Sequence, residues 1–378
     1  MLSRLALTTA IALAVAGCGG GGGGSAAGTA TATGIFKDSN TGGLKYVSGG
    51  QSGTTGADGS FTYEVGKTVT FSIGGVTLGA PAGKSVVTPI DLVAAGSSGT
   101  VKVQNIVRFL MMLDSDANPA NGLTISPAVQ AAAATWLPLD FGAGSFATDA
   151  ATVIASVSAA DNRVAALPAA NTAQTHLEST LRCAYAGAYK GTYAGTDNGK
   201  FGVMVDVATG HVVGVAYSVP NNQSFTLSGT TPVGYNQTAA FVSGVTSSGA
   251  TYSGQFTSVD SMSGTWQNAP GSGSFSGSRI GGALNAAYRF TGQFSGTNVG
   301  LFTFDVDNAN AVTGIAYNIA DDRLVTLSGT LAGTTLTATT STGTAVAGTL
   351  NITNGSLTGT WNGGGGSGSF SGSGCKLN

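Results

Sequence analysis

The sequence predicts a mainly β protein with a helical connector. A small N-terminal β-sandwich-like module leads through helices to two tandem antiparallel meander repeats forming β-barrels or a flattened sandwich. Three observations carry this reading. A unit of roughly 90–95 residues occurs twice after Tyr185: Gly214-Val-Ala-Tyr217 returns as Gly314-Ile-Ala-Tyr317, Ser263-Gly-Thr-Trp266 as Thr358-Gly-Thr-Trp361, and Gly271 to Ser278 as Gly366 to Ser373. Within each copy, aromatics and glycines keep one parity: Tyr185, Gly187, Tyr189, Gly191, Tyr193 and Gly195 in the first, Tyr288, Phe290, Gly292, Phe294 and Gly296 in the second. Turn signals such as Asp197-Asn-Gly199 and Asp307-Asn308 arrive often enough for about eight strands per copy, and helical spacing is confined to the stretch before Cys183.

Residues 1–17 read as an export signal. Arg4 supplies the positive n-region, and Leu5 to Val15 is an apolar run too short to span a bilayer. Val15-Ala-Gly-Cys18 closes it and resembles the lipobox of bacterial lipoproteins. That resemblance implies cleavage before Cys18, acylation of its thiol and, with Gly19 rather than Asp following, passage to the outer membrane. Several acyl chains at ~0.8 kcal/mol per buried CH₂ suffice for stable anchoring where one does not. Residues 18–33 form a Gly-rich tether with a root-mean-square reach of roughly 20–24 Å.

Residues 34–95 read as the small β module. Phe61, Tyr63 and Val65 share one face of a strand, and Val69, Phe71 and Ile73 share one face of the next. The stretch Thr55-Gly-Ala-Asp-Gly-Ser-Phe-Thr-Tyr63 resembles β-sandwich modules related to carboxypeptidase regulatory domains, which implies a structural spacer. Residues 96–183 read as the connector, with helices expected over 101–113, 126–136, 148–157 and 172–183. Ile106, Phe109, Leu110 and Leu113 form the apolar stripe of the first. Repeat 1 spans 184–280 and repeat 2 spans 281–378. Cys183 and Cys375 bracket the pair of repeats and, in an oxidising envelope compartment, are expected to form a disulfide, two free thiols being the alternative.

Composition excludes whole classes of partner. Only 32 of 378 side chains are charged, with a net charge of -2, so the dense Lys/Arg footprint that nucleic acid requires is missing. Catalytic chemistry is hard to assemble from two histidines, His176 and His211, without a Gly-x-Ser-x-Gly elbow. The two histidines are expected on the polar side of a helix and after the Thr209-Gly210 turn, respectively. Asp321-Asp322 reads as a turn. Asp114, Asp116 and Asn118 stand at positions 1, 3 and 5 of a candidate calcium loop, but Pro119 and Ile125 occupy the places that want Gly and a bidentate Glu. An Asx turn at a helix end is the competing reading. No other cofactor is expected.

Trp266 and Trp361 recur at equivalent places, which suits either sugar stacking or plugging of each barrel, and the outward parity of Ser263, Thr265 and Gln267 favours plugs. The Gly-Thr-Trp and Gly-Ser-Phe-Ser-Gly strands are similar to the barrels of surface lipoproteins such as transferrin-binding protein B, which implies surface display and protein binding. The expectation is therefore an outer-membrane lipoprotein, on either membrane face, with a binding or structural role and no catalysis. Its partners would be the membrane, through the lipid, and a protein or glycan ligand. An envelope hydrolase and a non-binding surface scaffold are the alternatives.

Overall fold

The computed structural model describes residues 29–377 apart from 208, 231–239, 283–285, 319, 320 and 322, and omits the side chains of 240–243. The expected export signal, Cys18, most of the expected tether and Asp322 lie outside the described residues.

The N-terminal module is two small sheets. Thr31–Phe36 pairs antiparallel with Ser60–Glu64 and parallel with Val86–Val87, while Gln51–Thr54, Lys45–Ser48, Thr70–Ile73 and Val76–Gly79 form the other sheet in that order. The alternation works as the period of two requires: Phe61 meets Phe71 edge-on across the sheets at 5.0 Å. Two expectations need correction. Thr31, Ala32 and Thr33 belong to the first strand, not the tether: they pair with Glu64, Tyr63 and Thr62, and the two threonines are β-branched residues that favour strands. Val65 lies past its strand's end and is exposed.

The connector contributes helices α1 (Val101–Leu113), α2 (Pro127–Ala132), α3 (Phe146–Asp149), α4 (Ala151–Ala160) and α5 (Ala170–Tyr185). Helix α2 starts where Ser-Pro implied: the Ser126 hydroxyl accepts the Val129 N–H at 3.1 Å, and Pro127 takes the first turn, where no amide is needed. Helix α1 buries its expected stripe and also Val103, Val107 and Met112. Leu123–Thr124 pairs parallel with Thr41–Gly42, so the connector and the module share a sheet. One continuous core accordingly runs from Phe36 through α1 and α5 to Phe256 and Phe275 of the first barrel. Helix α5 extends to Tyr185, so the first barrel strand begins only at Gly187.

Each repeat closes into an eight-stranded antiparallel barrel, Gly187–Arg279 and Tyr288–Lys376. Neighbours in sequence are neighbours in the sheet, and the last strand returns to the first, with Tyr193 opposite Phe275 and Phe294 opposite Phe370. Closure leaves no unpaired edge, which a chain this poor in charge could not otherwise protect. Glycine makes the narrow barrel possible. Gly264 and Gly359 sit directly opposite Phe275 and Phe370, and a Cβ on Gly359 would stand 2.3 Å from the Phe370 ring and 2.4 Å from the Ala347 carbonyl. Gly359→Ala is expected to destabilise barrel 2 by about 1–3 kcal/mol through overpacking. An unchanged urea midpoint would refute that ring-over-glycine account.

The barrels meet at the C-terminal end of α5. Arg279, on the last strand of barrel 1, lies over the Tyr189 ring at 4.9 Å. It donates to the Ala184 carbonyl at 2.6 Å, the Tyr189 hydroxyl at 2.7 Å and the Val259 and Ala186 carbonyls. Arg289, on the first strand of barrel 2, is wholly buried; it holds Asp305 at 3.0 and 3.2 Å and reaches the Ala184 and Ala186 carbonyls at 3.5 Å. Helix C-termini expose unpaired carbonyls that favour cations, and here one guanidinium from each barrel takes them. Neither arginine is duplicated: the places of Arg279 and Arg289 in the other copy are held by Gly374 and Ala188. Cys183 of α5 and Cys375 of the last strand are joined by a disulfide, with Cα atoms 5.7 Å apart.

Candidate ligand cavities

Both barrels hold an open cavity of about 260 Å³ at the same end. In barrel 1 that end carries the turns at 196–198, 219–222, 247–250 and 269–270. The opposite end faces the rest of the molecule, where Ser85 of the N-terminal module bonds Asp260 at 3.0 Å.

The walls are built from the inward parity of the strands. Tyr193, Phe201, Leu227, Trp266 and Phe275 line cavity 1, and their counterparts Phe294, Phe302, Leu327, Trp361 and Phe370 line cavity 2. The ring geometry repeats as well. Tyr193 meets Trp266 edge-on at 5.9 Å, as Phe294 meets Trp361 at 6.3 Å; Phe201 meets Phe275 at 5.7 Å, as Phe302 meets Phe370 at 5.6 Å. Each indole N–H is used in the wall, donating to the Ala194 carbonyl at 3.3 Å and the Ser295 carbonyl at 3.1 Å. The two tryptophans face inward as their parity required. Trp266 packs against the core of barrel 1 and Trp361 belongs to that of barrel 2, each opposite a glycine, Gly273 and Gly368 respectively, and beside each ring a cavity stays open.

The polar groups at mouth 1 serve the wall. Asp197 accepts from Ser218 at 2.8 Å, the Asn198 amide at 2.7 Å and the Tyr193 hydroxyl at 3.3 Å. Burial, reinforced by Asp197, pushes the Tyr193 phenol up to about 12, and burial alone does the same to Tyr252. Mouth 2 carries Asn318, Asp321 and Arg323, with Asn318 donating to Asp321 at 2.9 Å.

The residues that sequence singled out lie elsewhere. Asp114 caps α1 fully buried, accepts the Thr124 amide at 3.0 Å, and has its carboxyl pushed up to about 6 by burial. Asp116 is exposed and accepts from Asn121 at 2.7 Å and the Asn118 amide at 3.0 Å, an Asx turn that holds its carboxyl below the usual range. Among the described residues, no group of three or more His, Cys, Asp or Glu side chains is arranged to hold a metal. His211 is exposed at the start of its strand.

His176 faces inward, not outward as its helix position suggested. Its Nε2 stands 3.3 Å from Oδ1 of the wholly buried Asp38, at ion-pair range but off the line that a hydrogen bond needs. Burial alone would lower the His176 pKa; the Asp38 carboxylate reverses this and, with Asp114 adding, raises it above 6.5. A raised folded value means stability fully present below 6.5 and lost as pH climbs through that value. Buried Lys37, lowered to about 7, titrates with the opposite sign, so the test is a difference. The melting temperature of wild type minus that of His176→Gln is expected to fall from about pH 6 to about pH 9. A constant difference would refute the coupling.

The cavity walls were not found by searching for chemistry-bearing residues, because apolar rings on a strand read as core. The signal that could have found them is the pair of copies: a position whose ring changes identity while its partner compensates, as Val203 and Phe225 do against Phe304 and Val325.

No family model and no curated protein matches the chain. Solved structures similar to parts of it include the following two. A point mutant of the vaccine antigen transferrin binding protein B from Haemophilus parasuis Hp5 is 12% identical, with 50% of this chain and 76% of that chain covered and a TM-score of 0.19. A protein of unknown function from the DUF3598 family of Nostoc punctiforme PCC 73102 is 6% identical, with 53% and 98% covered and a TM-score of 0.17. Likenesses at that level carry no argument, and the barrel assignment rests on the strand pairing alone.

Proposed function

We propose that this chain is an outer-membrane lipoprotein, acylated at Cys18, that binds small ligands in the mouths of its two barrels and performs no catalysis. The observation that carries the binding role is the duplicated opening. Two copies that differ at many wall positions keep equal cavities of about 260 Å³ at the same end, where a purely structural barrel of eight strands would fill with side chains. The leader carries the anchoring part of the reading, and no helix among the described residues is long and apolar enough to cross a membrane. The mouths lie at the barrel end remote from the Ser85–Asp260 contact, so a tether at the N-terminus leaves them free.

Native mass spectrometry of the full chain, extracted gently from envelopes, tests the binding role. Retained small-molecule mass is expected, falling when Ala216→Trp and Ala316→Trp fill the cavities in variants that still melt cooperatively. Absence of any retained mass, together with no melting shift from a panel of envelope-extracted small molecules, would favour a non-binding scaffold. Labelled palmitate incorporation that vanishes in Cys18→Ala tests the anchor.

A further inference from the structure

We propose that the two cavities have diverged in charge: the barrel 1 cavity takes an uncharged aromatic molecule of about two fused rings, and the barrel 2 cavity accepts a similar ring bearing a charged end. This rests on the binding role proposed above and deepens it.

Size comes from volume. An apolar cavity of roughly 150 Å³ holds one benzene, and about 260 Å³ open at one end has room for a second ring. Aromatic character comes from the walls, since Tyr193 and Phe201 meet Trp266 and Phe275 edge-on. These pairs leave ring faces and edges at the angles that an inserted ring prefers.

Charge comes from comparing the copies position by position. No Lys, Arg or His is among the described residues lining cavity 1, and its one carboxylate, Asp197, is held by three donors of the wall. Burying an ion there would cost its hydration, with Asp197, already taken by wall donors, as the only charged partner among the described lining residues, and the phenols of Tyr193 and Tyr252, both pushed up to about 12 by burial and at Tyr193 also by Asp197, report an environment that disfavours an anion. In barrel 2 the places of Asn221 and Gln223 are taken by Asp321 and Arg323, both exposed and both lining the mouth. The place of Ala250 is taken by Thr344. A ring lodged among Phe302, Phe304 and Phe370 would leave a charged substituent at that rim, still hydrated and beside charged side chains.

The test uses the full chain labelled with 5-fluorotryptophan, whose three fluorine resonances are assigned from single Trp→Phe variants. Trp136, which packs on Phe109 away from both cavities, is the internal control. Titrating 2-naphthol is expected to shift Trp266 saturably. Naphthalene-2-carboxylate and 2-naphthylmethylammonium are expected to bind at Trp266 at least about tenfold more weakly, while at least one of them shifts Trp361. Asn221→Asp with Gln223→Arg, two rim substitutions checked by melting, should bring the charged probe into cavity 1. Equal shifts of Trp266 by neutral and charged probes would overturn the divergence and leave the binding role standing. No shift of Trp266 or Trp361 by any probe would overturn both.

Discussion

Replacing Arg289 with alanine is expected to cost about 3–5 kcal/mol of stability, read as a lower urea midpoint. The magnitude follows from what would remain. Asp305 is 2% exposed and Arg289 0%, so removing the guanidinium takes two charged donors from a buried carboxylate. The cost belongs to the orphaned group rather than to the pair, and a second variant separates the two. Arg289→Met combined with Asp305→Leu removes both charges at similar volume and is expected to recover most of the loss, because the desolvation of a buried ion pair roughly offsets its attraction. If the double variant is as unstable as the single one, the junction depends on Arg289 reaching the end of α5 and not on its pairing with Asp305.

The second large effect is the disulfide. Cys183 and Cys375 are 192 residues apart, and a loop of that length confines the unfolded chain enough to stabilise the fold by about 5 kcal/mol in the chain-entropy treatment. Cys183→Ser with Cys375→Ser is expected to lower the urea midpoint correspondingly, and the reduced wild type should coincide with it. The position sharpens the expectation. The bond ties α5, which belongs to the core shared with barrel 1, to the last strand of barrel 2, whose core is separate, and the small cluster around Cys183, Ala286 and Leu377 packs beside it. Barrel 2 should therefore be the part that loosens, with Trp361 fluorescence changing before Trp136. An unchanged midpoint would show that the noncovalent contacts hold the junction without the bond, the arginines together with the Ala188, Ile280, Ile315 and Tyr317 cluster and the Ser373–Asp206 hydrogen bond.

Much of the architecture was legible because it is written in short-range periodicity. The repeat at offsets near 100, the parity of rings and glycines, and the Ser-Pro start of α2 each follow from one strand or one helical turn. The pairing of Cys183 with Cys375 was legible for a different reason: after Cys18 these are the chain's other two cysteines. The candidate calcium run shows the limit of such reading. Asp114 and Asp116 are near enough to interact, yet one is fully buried at a helix cap and the other is exposed in an Asx turn, a difference in burial that spacing alone does not give. His176 shows the same limit, since its inward direction depends on Asp38, far away in sequence, reaching α5.

By itself the sequence determined a duplicated β unit, its strand count and the face each ring occupies, all of which are local properties of the chain. Only the tertiary structure decided that the duplicated strands close into barrels with open mouths, and that Arg279 and Arg289, unmatched between copies, converge on one helix end. The physical reason is that a cavity is a difference between the space that strands enclose and the volume that side chains fill. Parity fixes which side chains point inward, whereas the enclosed space is set by closure, by strand tilt and by where each ring lies against a glycine on the next strand.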